Sequence, residues 1–269
     1  MTIRIRWRAA AAASALAALP LASTAQEART TAAGGMIEPV SGFTGQMSMR
    51  MEAEAPEEMA VTEVIRFEPW QMLEDLFRDD LVFVMRAGPS DWGTAEPADA
   101  AAGDCEAQRL LSAEGRDAMR QFGSLLVVNE LRPGEVVVSG WCRAQETYAA
   151  LEAGMLAVDM NALDGMEASM DAALDPLGAE GGAADLEAVR ALVAGWDGGD
   201  GDGPLLLLSH FDTIAALTEF ATYEGEILIL DPRRDGRVLA YLRLASAAPD
   251  PVRFDEATVE LVRRARGTE

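Results

Sequence analysis

Three side chains of this 269-residue chain combine suitable chemistry with suitable placement: Arg86, Arg143 and His210, the single histidine. Each lies at or just past an apolar run, LVFVM at 81–85, EVVVS at 135–139 and PLLLLS at 204–209. A guanidinium is a planar, permanently charged fork of N–H donors. Two such forks converging from separate strand ends make a site for a phosphoryl group. For either arginine alone, an ion pair with a carboxylate such as Glu146 is the simpler explanation. The three motifs together favour the oxyanion site.

The three apolar runs read as strands buried on both faces, and each leads towards a helical pattern. Ser112 is placed to cap a helix reaching Ser124, with Met119, Phe122 and Leu126 inward. Arg143 to Leu151 reads as a second helix. Leu186, Val189, Leu192 and Val193 mark another, and Ile214 and Leu217 a fourth. Residues 226–230 and 237–244 read as strands joined by the turn sequence DPRRDG at 231–236. Short helices are also expected at 69–77, with Trp70, Leu73 and Phe77 on one face, and at 256–266. Residues 155–183 give no clear period. The pattern predicts a three-layer α/β/α fold around a mostly parallel central sheet. Ligands of such sheets bind beyond the carboxyl ends of the strands. Arg86-Ala87-Gly88, Trp141-Cys142-Arg143 and His210 fall there.

Residues 1–25 have three arginines, a short apolar run from Ala9 to Leu21 and the small residues Ser23-Thr24-Ala25. That is the layout of a secretory signal peptide, so a periplasmic or secreted chain is expected. The rest divides into a Met- and Glu-rich leader at 26–66, one domain at 67–248 and a tail at 249–269. No second membrane-length apolar run occurs, so no membrane association is expected after signal cleavage. The net charge of −23 would repel a phosphate backbone and argues against nucleic-acid binding. Every basic residue is an arginine, which excludes lysine-based chemistry.

Cys105 and Cys142 are the only cysteines. In an exported chain they favour a disulfide over two buried thiols. The bridge would close a loop of roughly 38 residues and stabilise by about 4 kcal/mol on chain-entropy grounds. As a thiolate nucleophile, Cys142 would need an arginine six residues on, where Tyr148 stands. Met47, Met49, Met51 and Met59 suit copper(I) in type, yet no histidine accompanies them. GGDGDG at 198–203 lacks the ordered acidic spacing of a calcium loop. No metal and no cofactor is expected.

Four blocks carry a resemblance. LVFVMRAGPSDW at 81–92, CEAQRLLSAEGRDAM at 105–119, VVVSGWCRAQET at 136–147 and LLLLSHFDTIAALT at 205–218 resemble, in order and spacing, the motifs of the histidine phosphatase (phosphoglycerate mutase-like) superfamily. The resemblance spans residues 67–244. It implies that Arg86 and Arg143 bind phosphate, that His210 is the second histidine contacting the phosphoryl group, and that Ser90 supplies a hydroxyl to it. Cysteines at both matching places in family segments agree with the bridge. The general acid of the family has no clear match; Asp159, Asp164 and Glu167 are candidates.

Ala87 stands where the family has its nucleophilic histidine. A methyl group has no lone pair with which to attack phosphorus. The expectation is a catalytically impaired pseudophosphatase that keeps a pocket for phosphate or a small phosphorylated ligand, with no protein partner indicated. The competing readings are an active phosphomonoester hydrolase using another nucleophile, and a structural or interaction module.

Overall fold

Side chains of the central strands alternate between two hydrophobic cores, one on each face of the sheet. Val82–Arg86 forms β3, in which Phe83 and Met85 enter one core while Val84 enters the other. Leu205–Ser209 (β6) divides in the same way, Leu206 and Leu208 against Leu205 and Leu207. Strands buried on both faces need apolar residues at every position, which is why they read as unbroken runs. The structure is a computed structural model, and it describes residues 47–49, 62–69, 78–97, 99–179, 183–199 and 203–251. The expected signal peptide and the helices at 69–77 and 256–266 fall wholly or largely outside them.

Helices α1 (Ala113–Val128) and α2 (Cys142–Val158) cover the first core, contributing Met119, Phe122, Leu126, Leu151 and Met155. Helices α3 (Leu186–Gly195) and α4 (Phe211–Thr218) cover the second with Val189, Val193 and Ile214. This is the expected three-layer α/β/α arrangement. Ser112 caps α1 as anticipated, its hydroxyl accepting from Gly115 N–H at 2.9 Å. Both α1 and α2 extend beyond the ends read from sequence, at Ser124 and Leu151.

The remaining strands are β1 (Met47–Met49), β2 (Ile65–Pro69), β4 (Glu135–Val138), β5 (Glu167–Met170), β7 (Ile227–Asp231) and β8 (Arg237–Leu244). The sheet order is β1-β2-β8-β7-β3-β6-β4-β5. The block β3-β6-β4-β5 is parallel, whereas β7, β8, β2 and β1 each pair antiparallel with their neighbours. The sheet is thus mixed, with its parallel half at the site. The antiparallel β7–β8 pair follows from the short turn between them, where Asp235 and Gly236 adopt positive φ and reverse the chain too tightly for a crossover helix. Both β1 and the start of β2 lie within the segment read as a leader. Strand β2 pairs with β8 and sends Ile65 and Phe67 into the first core, an alternation too short to stand out in the sequence, while β1 is three residues long and pairs with β2.

Register aligns the ends that matter. Arg86 pairs with Ser209, and Val138 with Leu208, across adjacent strands. Beyond the strands, Ala87 N–H donates to Ser209 O and Ser139 N–H to Leu208 O. The chain therefore leaves β3, β6 and β4 at one level, carrying Ala87, His210 and Ser139.

Candidate oxyanion site

Arg86, Ala87, Arg143 and His210 line one cavity of about 280 Å³ at the carboxyl ends of the parallel strands, together with Trp92, Arg109, Phe211, Asp212, Glu224 and Asp250. The three residues singled out by sequence thus come together around Ala87. Ser90 does not line the cavity. Its hydroxyl donates to Glu224 Oε1 at 2.5 Å and accepts from Arg109 Nε at 2.9 Å, which ties it to two residues that do line the cavity.

Each guanidinium already has partners. Arg86 donates to Thr222 O at 2.7 Å and to Asp250 Oδ2 at 2.8 Å, and its guanidinium carbon lies 5.1 Å from the centre of the Phe211 ring. Arg143 directs one terminal nitrogen at both oxygens of Glu96, 2.6 and 2.8 Å away. The alternative for a single arginine, an ion pair with a carboxylate, is realised at both, by Glu96 at Arg143 and by Asp250 at Arg86. Glu146 instead accepts from Leu111 N–H and lies 3.5 Å from Arg116. Asp250 enters the site from what sequence assigned to the tail.

His210 is buried, and both of its ring nitrogens are engaged. Arg143 Nε–H donates to Nδ1 at 3.2 Å, while Nε2 lies 2.8 Å from Ser139 Oγ. Ser139 Oγ in turn lies 2.7 Å from Asp175 Oδ1 and accepts from Trp141 N–H at 3.2 Å. An arginine can only donate and a carboxylate can only accept. Both ends of the chain therefore impose one direction. Nδ1 carries the lone pair, Nε2–H donates to the serine, and the serine donates to Asp175. Burial, then the positive charges of Arg143 and Arg86, hold the imidazole well below its ordinary pKa. The sole imidazole is neutral and in one tautomer.

The acid candidates lie elsewhere. Asp159 and Asp164 line a separate cavity with Arg132, Gly203 and Pro204, at the amino ends of the strands. Glu167 begins β5 at that same end. The reason is helix length: the 17 residues of α2 span about 25 Å, which carries the chain to the far side of the sheet. Carboxylates that do line the oxyanion cavity are Asp212, Glu224 and Asp250.

The two cysteines form the expected bridge, with Cα atoms 5.5 Å apart. It joins the loop before α1 to the first residue of α2, next to Arg143. Gln108 reinforces this junction by accepting from Cys142 N–H and donating to Ala101 O. Among the described residues no group of three or more acidic, histidine or cysteine side chains is arranged to hold a metal ion. None of the described helices is long and apolar enough to cross a membrane.

No family model matches the chain, and no curated protein does. Among solved structures, the chain is similar to the protein histidine phosphatase SixA complexed with tungstate. The identity is 21% and the TM-score 0.42, over 60% of this chain and 93% of that one. It is also similar to the putative phosphohistidine phosphatase SixA from Agrobacterium tumefaciens, with 17% identity and a TM-score of 0.38 over 63% and 97% of the two chains. The putative phosphohistidine phosphatase SixA from Nakamurella multipartitia gives 16%, a TM-score of 0.39, and 62% and 96% coverage.

Proposed function

We propose that this chain is a pseudophosphatase of the histidine phosphatase type, an oxyanion-binding protein that has lost the nucleophile. One observation carries the reading: Arg86, Arg143 and His210 line a single cavity together with Ala87. The four motifs place the same three residues in the family's phosphate site, by resemblance. Hydrolysis through a covalent phosphoenzyme needs an imidazole lone pair in line with phosphorus. Position 87 has none, and the lone pair of His210 is engaged by Arg143. The arginines still offer charge-assisted hydrogen bonds, each worth about 1.5–3 kcal/mol. A structural module would have no need to gather them at one cavity. The Cys105–Cys142 bridge supports an oxidising compartment, as expected for an exported chain.

Calorimetric titration with phosphate and with vanadate tests the reading. Binding to the wild type and its loss in Arg143→Ala are expected. Absence of binding to the wild type would overturn it. Ala87→His tests the remainder of the site: phosphatase activity appearing in that variant, and not in the wild type, shows that only the nucleophile is missing.

A further inference from the structure

We infer that the ligand of this cavity is a small zwitterionic phosphoryl compound, a phosphate monoester carrying an ammonium group, rather than a simple phosphate dianion. The inference rests on the oxyanion reading above and adds the charge pattern around it. Arg86, Arg109 and Arg143 line the cavity, but so do Asp212, Glu224 and Asp250, and Glu96 grips Arg143 beside them. Four carboxylates thus face three guanidiniums. A site built for a bare dianion would carry surplus positive charge. This one does not.

The consequences appear when a phosphoryl group enters. It must compete with Asp250 for Arg86 and with Glu96 for Arg143, whose contacts are 2.8 and 2.6 Å. Of the two carboxylates displaced, the side chain of Glu96 is 18% exposed and that of Asp250 33%. A carboxylate stripped of its guanidinium in such surroundings lacks the water that would compensate it, so displacement is costly. An ammonium group arriving on the same ligand supplies the missing counter-charge.

Asp250 gives this cation a specific place. Its Oδ2 is bound to Arg86, while its Oδ1 is buried and has no hydrogen-bond partner among the described residues. When an incoming phosphoryl group takes Arg86 from it, the carboxylate can turn and offer this unsatisfied oxygen to a donor on the same ligand. Beside it, Glu224 Oε1 lies 3.9 Å from Arg86, so the two carboxylates flank the same guanidinium. The volume of about 280 Å³ accommodates a phosphoryl group with a short chain. Phe211 and Trp92 line it as apolar wall, suited to the methylene groups between phosphate and amine.

The experiment compares 2-aminoethyl phosphate, ethyl phosphate and inorganic phosphate by calorimetry on the full chain at neutral pH. The aminoethyl compound is expected to bind about tenfold tighter than ethyl phosphate, or more. Asp250→Asn should bring that ratio close to one, whatever it does to absolute affinity; circular dichroism of the variant establishes that it is folded. Equal or weaker binding of the aminoethyl compound by the wild type would overturn the zwitterion while leaving the oxyanion site standing. Failure of all three compounds to bind would overturn both.

Discussion

Ser139 Oγ lies 2.8 Å from His210 Nε2, and this contact fixes the hydrogen on the only imidazole of the chain. Because Arg143 donates to the opposite nitrogen, the ring has no second arrangement that keeps both bonds. Polarity runs one way from Arg143 through His210 and Ser139 to Asp175, and aligned links of this kind strengthen one another. A single histidine makes the state directly readable by nitrogen-15 NMR of labelled protein. The expected spectrum shows a protonated Nε2 and an unprotonated Nδ1. Ser139→Ala removes the acceptor for Nε2–H and should broaden or shift both signals. A wild-type spectrum with the proton on Nδ1 would refute the direction of the whole chain.

Burial of that neutral ring makes stability depend on pH. The folded-state pKa is depressed well below the ordinary value, by burial first and by Arg143 and Arg86 next. In the unfolded chain the imidazole takes up a proton below about pH 6.5. Below that pH the unfolded state binds more protons, so the contribution is complete above it and lost as pH falls towards the folded-state pKa. The loss approaches about 1.4 kcal/mol per pH unit. Urea unfolding of the wild type and of His210→Gln at pH 7.5, 6.5 and 5.5 isolates the effect, since the carboxylates are common to both. The wild type should lose stability relative to the variant between the last two points. Parallel curves would mean that the ring takes up its proton as readily in the fold as in the unfolded chain.

The same residues show what sequence reveals and what it hides. Val82–Met85, Val136–Val138 and Leu205–Leu208 were legible because burial on both faces demands apolar side chains at consecutive positions. The three site residues attached to their ends came with them. Strand β5 was not legible, since Glu167–Met170 is exposed throughout and held by backbone pairing with β4. Ser139 sat within a recognised strand, but its partner Asp175 follows β5 and is 36 residues away, a separation no local period encodes. Glu96, Arg109, Glu224 and Asp250 come from loops, where position depends on the tertiary fold and residue type alone carries little signal. A second acidic or basic residue at a strand end is visible in sequence; a carboxylate brought back over it by a loop is not.

The bridge between Cys105 and Cys142 should contribute measurably to stability. It restricts the unfolded chain over a loop of roughly 38 residues, for which the chain-entropy estimate is about 4 kcal/mol. Replacing both cysteines with alanine leaves no free thiol to confuse the measurement. The variant is expected to unfold at a clearly lower urea concentration than the oxidised wild type. Reducing agent should bring the wild type to the same midpoint and leave the variant unmoved. A change below about 1 kcal/mol would show that native contacts such as Gln108 to Cys142 N–H hold the junction without the bridge.

Helices α1 and α2 meet backbone to backbone at two glycines, and this closeness gives the most severe test of the packing. A Cβ built on Gly154 would lie 1.8 Å from Arg120 O, and one on Gly123 would lie 2.0 Å from Leu151 O. Both obstacles are main-chain carbonyls, which cannot swing aside as a side-chain end can. Ser124 Oγ adds a 2.9 Å hydrogen bond to Gly154 O at the same crossing. Alanine normally favours a helix over glycine by about 1 kcal/mol, so propensity alone predicts that Gly154→Ala stabilises. The clash predicts the reverse, because the helices must separate and core contacts of Met119, Phe122, Leu151 and Met155 loosen with them. Overpacking of this kind costs typically 1–3 kcal/mol, and an immovable backbone puts the site at or above the upper end. Thermal unfolding of Gly154→Ala should therefore show a net loss of about 3 kcal/mol. A stabilised variant would mean that the helices pack further apart than these distances state, and that the register delivering Arg143 to the cavity is set by the sheet alone.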